Sequence, residues 1–98
     1  MRFSWHNDKA AKNLQDHGVS FDEAATVFDH PLARDLCDDL HSWDEPRYYT
    51  VGPSSSGRLL LVCWTLRNDE RGEVIHLISA REPEPREKRQ YEASEDFA

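Results

Sequence analysis

The chain has 98 residues, with 12 Lys and Arg against 19 Asp and Glu and a formal charge of −7. That length supports one hydrophobic core rather than two. The acidic balance argues against broad non-specific nucleic-acid binding, which needs Lys and Arg to neutralise phosphates, and favours a basic partner or a small basic site in an acidic body.

Phe3 and Trp5 alternate with polar residues, so Arg2–Trp5 forms either a short strand or an N-terminal clasp. His6-Asn7-Asp8 starts a helix that runs to about Asp16, with Lys9, Asn13 and His17 along one stripe and Ala10 and Leu14 along its neighbour. Gly18 is the expected left-handed stop. Ser20 and Glu23 fit a capping box for a second helix, whose buried face is Phe21, Ala24, Ala25, Val27 and Phe28 and which Pro31 ends. A strand is expected near 33–39, then a loop through Asp44. Strand 47–52 follows by β-propensity, and Pro53–Gly57 is a hairpin loop. The next stretch, Leu59 to Leu66, is apolar on both faces: Leu59, Leu61, Cys63 and Thr65 on one, Leu60, Val62, Trp64 and Leu66 on the other. Such a strand must be covered twice. The helical pair is expected over the Leu59 face, and the last helix, a partner or a second copy over the Trp64 face. Glu73–Ala80 is a further strand, and Pro83 and Pro85 open a final helix through Tyr91. Cys37 and Cys63 are too few for a disulfide framework, and no apolar run approaches the roughly 18 residues of a membrane span. The chain reads as cytoplasmic. The expected fold is α+β, an N-terminal helical hairpin packed on a four-stranded antiparallel sheet, with a C-terminal helix.

Several motifs run through the chain in order: Trp5, Lys9, Asn13 and His17-Gly18-Val19-Ser20-Phe21; Glu45-x-Arg47; Gly57-Arg58-Leu59-Leu60; Thr65-x-Arg67; Ile78-Ser79-Ala80-Arg81; and Glu87-x-Arg89-x-Tyr91. Together they resemble the BrnT toxin family over residues 3 to 92, nearly the whole chain. The resemblance implies a single domain over 1–93 and a RelE-like fold, and residues 94–98 read as an acidic tail. It implies a type II toxin–antitoxin system, in which a metal-independent endoribonuclease without cofactor cleaves RNA and inhibits translation. The partner implied is a small basic DNA-binding antitoxin of ribbon-helix-helix type. DNA would be met only through that antitoxin, and the complex admits a toxin homodimer.

Such cleavage uses the 2′-hydroxyl as nucleophile and needs cations on the phosphate, a base and an acid. Arg81, Arg67, Glu45, His17 and Tyr91 are the catalytic candidates, and Lys9, Arg47, Arg89 and Trp64 the substrate-binding ones. Each has a plainer alternative. The arginines suit carboxylates as well as phosphates, Glu45 makes a surface ion pair, His17 caps the first helix at its negative end, and Trp64 packs. If the last two strands pair as a hairpin, Arg67 and Arg81 start at opposite ends. The row Asp35, Asp38, Asp39 and His41 fits no metal-ligand spacing and reads as an acidic edge. His76, mid-strand, reads as a partly buried, satisfied histidine. Where the family commonly has His or Tyr followed by Thr, Glu and Arg, this chain has Trp64-Thr65-Leu66-Arg67. Trp64 and Leu66 move no protons. The alternative to a nuclease is therefore a catalytically weak or inactive BrnT-like module that acts by binding its antitoxin and tuning operon repression.

Overall fold

The computed structural model describes residues 1–36 and 45–95. In chain order the elements are β1 (Phe3–Ser4), α1 (Asn7–His17), α2 (Phe21–Thr26) prolonged by a 3-10 turn (Val27–Asp29), β2 (Arg34–Leu36), β3 (Tyr48–Pro53), β4 (Leu59–Asp69), β5 (Gly72–Arg81) and α3 (Pro85–Glu95). The fold is α+β, but the sheet has five strands rather than four, in the order β1-β5-β4-β3-β2. It is mixed, because β1 lies parallel to β5 at Ile75 and His76 while the other pairs are antiparallel. Two residues are too short to carry a periodic signal in sequence. The expected strand over 33–39 appears as Arg34–Leu36; positions 37–39, and Asp38, Asp39 and His41 of the acidic row, lie outside the described residues.

The helical region also differs from a simple hairpin. Gly18 ends α1 with φ 69°, and its N–H donates to the Leu14 carbonyl, as a left-handed stop should. Ser20 caps α2 by accepting from the Glu23 N–H at 3.1 Å. Glu23, however, does not turn its carboxylate back to complete the box. It reaches the β3–β4 hairpin, where Ser54 and Ser56 donate to it at 2.6 and 2.7 Å and Arg58 grips both its oxygens. α2 is only six residues long, so this clamp and its buried side chains hold it rather than helix propensity.

The two faces of β4 are covered the opposite way round from the expectation. Leu60 and Val62 are fully buried with Val19, Phe21, Ala24 and Val27 from the helical region, and Trp64 packs on the same cluster. Leu61 instead packs with Val51 and Tyr91 of α3, beside Leu59. Alternation along β4 separates the faces but does not name them; β3 does. Gly52, opposite Leu60, leaves room for the chain after α2: a Cβ there would lie 2.9 Å from the Ala33 Cα and 3.1 Å from a Val27 methyl. Each large side chain buried in these layers contributes about 1.5–3 kcal/mol.

Two further devices shape the β5 edge. The register shifts between Cys63 and Trp64, whose partners are Ser79 and Leu77, so Ile78 is the extra residue in β5. Below that shift Val74 and His76, and above it Ser79 and Arg81, therefore share the face of β4 that carries Leu61, Cys63, Thr65 and Arg67. Beyond the end of β1, Asn13 of α1 takes the place of a neighbouring strand. Its side-chain amide donates to the Ala80 carbonyl at 2.8 Å, accepts from the Ala80 N–H at 3.0 Å, and donates to Val19 O at 2.9 Å. Among the described residues, no helix is long and apolar enough to cross a membrane.

Candidate active site

Thr65, His76 and Ser4 stand side by side across β4, β5 and β1. Thr65 is fully buried, and its hydroxyl donates to the Pro46 carbonyl at 2.6 Å. That bond holds the segment before β3 over the end of the sheet, from which Glu45 accepts a 3.0 Å hydrogen bond from Arg67, one row along β4. His76 is 6% exposed. Its Nδ1 lies 2.8 Å from the Ser4 hydroxyl, and the His6 ring stands edge-on at 5.3 Å between centroids.

Burial pushes the His76 imidazole below the ordinary histidine range, and the charges of Arg67, His6 and Lys9 push the same way against the pull of Glu45. Glu45 is held below the usual carboxylate range, first by the Arg67 hydrogen bond and further by the charges of Arg67, His76 and Arg47. The structure therefore brings three candidates, Glu45, Arg67 and Lys9, to act on a histidine expected only as a satisfied, partly buried one, with Arg47 acting on Glu45. The signal for it was present: His76 is the one titratable side chain inside Val74–Ala80. Ser4 and His6 carried no such signal, because the parallel pairing of β1 brings them there.

The remaining candidates lie elsewhere. Arg81 pairs with Leu61 in the β4–β5 register and Arg67 with Val74. Six residues of strand, about 20 Å at ~3.3 Å per residue, therefore separate the two arginines, and they do not reach one phosphate. Arg81 instead grips both oxygens of Glu87 at 2.8 and 2.9 Å. Glu87 also accepts from the Glu84 N–H and so caps α3. Tyr91 is 5% exposed and donates to the Leu32 carbonyl at 2.8 Å, which fixes α3 to the chain before β2. Arg89 is exposed on α3. His17 lies at the far end of α1 from His6, on an open concavity of about 220 Å³ shared with Lys9, Lys12, Asn13, Asp16 and Ile78. Trp64 lies on the helix-covered face, between Phe28 and Tyr48, and its N–H donates to the Thr50 hydroxyl at 2.9 Å. It thus points away from His76. Among the described residues, no three His, Cys, Asp or Glu side chains converge into a set that could hold a metal ion.

The cluster can do acid–base chemistry on an anionic substrate. A neutral imidazole with a lowered pKa accepts a proton near neutral pH better than the ionised, arginine-bound Glu45 does, and Arg67, Arg47 and Lys9 supply positive charge. No curated protein is matched by the chain. Among solved structures it is similar to the ribonuclease toxin BrnT of Brucella abortus, with 19% identity and a TM-score of 0.63, over 86% of this chain and 97% of that one; at that identity the likeness speaks to the fold. The sequence profile of the family described as "Ribonuclease toxin, BrnT, of type II toxin-antitoxin system" matches residues 5–87. The chain belongs to the BrnT family of ribonuclease toxins of type II toxin–antitoxin systems.

Proposed function

We propose that this protein is a metal-independent endoribonuclease whose active site is the cluster around His76. In this reading His76 takes the proton from a ribose 2′-hydroxyl, and the 2′-oxygen attacks the neighbouring phosphorus. The bond from phosphorus to the 5′-oxygen breaks, and His6 returns a proton to that leaving oxygen. Arg67, Arg47 and Lys9 stabilise the charge that grows on the phosphate, and Glu45 holds Arg67 in place until the phosphate competes for it. The products are a 2′,3′-cyclic phosphate and a 5′-hydroxyl. The observation that carries this reading is a buried imidazole, depressed toward its neutral form, beside the Glu45–Arg67 pair.

In the cell this activity acts in the cytoplasm, on RNA needed for translation, until a small basic DNA-binding antitoxin covers the toxin. The chain's −7 charge suits such a partner. The test is cleavage of RNA by purified protein in EDTA, with product ends mapped. His76→Gln is expected to lower the rate about 10²- to 10⁴-fold, the range for losing a positioned acid–base group, and Arg67→Ala about 10²- to 10³-fold, the range for losing an electrostatic stabiliser, while Arg81→Ala leaves the chemistry intact. Tight antitoxin binding without cleavage would overturn the nuclease and leave the binding module, a reading supported by the engagement of Arg67 and Arg81 with their own carboxylates.

A further inference from the structure

We propose that Ser4 is a positioning residue that sets the tautomer of His76: its hydroxyl accepts from Nδ1–H and leaves the Nε2 lone pair as the proton acceptor of the site. This rests on the reading of His76 as the base and specifies how that base is prepared.

β1 consists of two residues, yet it is fastened firmly through Arg2, the residue just before it. The Ile75 N–H donates to the Arg2 carbonyl at 2.9 Å. The Arg2 guanidinium grips both oxygens of Asp69 at 2.7 Å and reaches the Glu73 carbonyl at 3.4 Å. Ser4 is thereby held opposite His76, with its Oγ 2.8 Å from Nδ1. Burial of the His76 ring leaves it little freedom to turn, and Nε2 forms no hydrogen bond among the described residues. Nε2 is the nitrogen left for a substrate.

A serine hydroxyl can donate or accept, so the surroundings decide the direction. If Ser4 donated to Nδ1, the ring proton would sit on Nε2 without a partner among the described residues, in a site made positive by Arg67 of β4, Lys9 of α1 and His6 before α1. Among the described residues, Glu45 is the one acidic group acting on His76, and Arg67 holds it. The opposite direction satisfies the ring proton with Ser4 and leaves a lone pair rather than a proton on Nε2 within those positive surroundings, which is the cheaper arrangement. The same choice makes His76 a base rather than a donor.

The experiment reads the tautomer directly. Nitrogen NMR of ¹⁵N-histidine-labelled full-length protein, at a pH where His76 is neutral, is expected to place the proton on Nδ1. Ser4→Ala is expected to move it to Nε2, and Ser4→Thr, which keeps the hydroxyl, to restore it, with an amide correlation spectrum confirming the fold of each. In RNA cleavage Ser4→Ala lowers kcat about 10- to 100-fold, the cost typical of losing a group that orients another, with KM little changed. A wild-type proton on Nε2, or a tautomer indifferent to Ser4→Ala, would overturn the proposal whatever the protein does to RNA. Absence of cleavage with the proton on Nδ1 would instead refute the nuclease reading alone.

Discussion

Glu23 offers a measurable link between one side chain and the stability of the whole chain. Its carboxylate accepts from Arg58, Ser54 and Ser56, the side chain is 17% exposed, and its pKa is lowered from 4.5 to about 2, chiefly by the hydrogen bond from Arg58 and then that from Ser54. A depression of that size corresponds to roughly 2–3 kcal/mol of folding stability once some screening is allowed for. The sign follows from the direction. The folded state binds the proton less readily than the unfolded chain, so the contribution is complete above about pH 4.5 and is lost as pH falls toward 2. Replacing Glu23 with Gln should therefore cost roughly 2–3 kcal/mol at pH 7 and progressively less between pH 4.5 and 2. Urea unfolding followed by tryptophan fluorescence, at several pH values, measures this. The difference between wild type and Glu23→Gln is the quantity to follow, because Asp69, paired with Arg2, is also depressed to about 2 and titrates in both proteins. A difference that stays constant from pH 7 to 2.5 would refute the argument, since it would mean that lost packing rather than the charged form sets the cost.

Asn13→Ala removes an amide and leaves the Ala80 N–H, the Ala80 carbonyl and the Val19 carbonyl without their partner at a buried edge; at about 1–3 kcal/mol per orphaned group it should lower the urea midpoint at least as much as Glu23→Gln does at pH 7. Gly52→Ala drives a methyl to 2.9 Å from the Ala33 backbone, and an overpacking cost of about 1–3 kcal/mol should appear as a lower melting temperature by calorimetry. For catalysis, burial and the neighbouring cations lower the His76 pKa, so kcat/KM should rise with pH along a limb centred below 6.5. A limb at or above 6.5 in the pH–rate profile would remove His76 as the base.

Much of the backbone was legible because its signals are local. Gly18 stops α1, Ser20 caps α2, and the apolar run from Leu59 and the alternation from Glu73 mark the two long strands. What stayed hidden depends on pairing between distant segments. Nothing in Leu59–Leu66 says which face meets the helices; Gly52 decides it from the neighbouring strand. Nothing in Val74–Ala80 marks Ile78 as the extra residue, yet the shift puts His76 and Arg81 on one face, where strict alternation would put them on opposite faces. The site suffered most, because residues 4, 6, 9, 45, 67 and 76 meet only in three dimensions. Arg81, prominent in sequence, is absorbed by Glu87 at the start of α3.

The same geometry changes the meaning of Trp64 and Leu66. As a departure from the family pattern, two groups unable to move a proton argue against an enzyme. Their side chains, however, project to the helix-covered side of β4, where Trp64 packs on Phe28 and Tyr48. Thr65 and Arg67 project to the other side, with His76. Trp64 and Leu66 therefore take nothing from the His76 cluster. Trp64 instead helps hold it. Its N–H bond to Thr50 and its contact with Tyr48 fix the start of β3 against β4, and β3 is entered through Glu45, Pro46 and Arg47. With Thr65 gripping Pro46 from the opposite face, β4 holds that segment from both sides, so Glu45 meets Arg67 without a proton-transfer group at position 64 or 66.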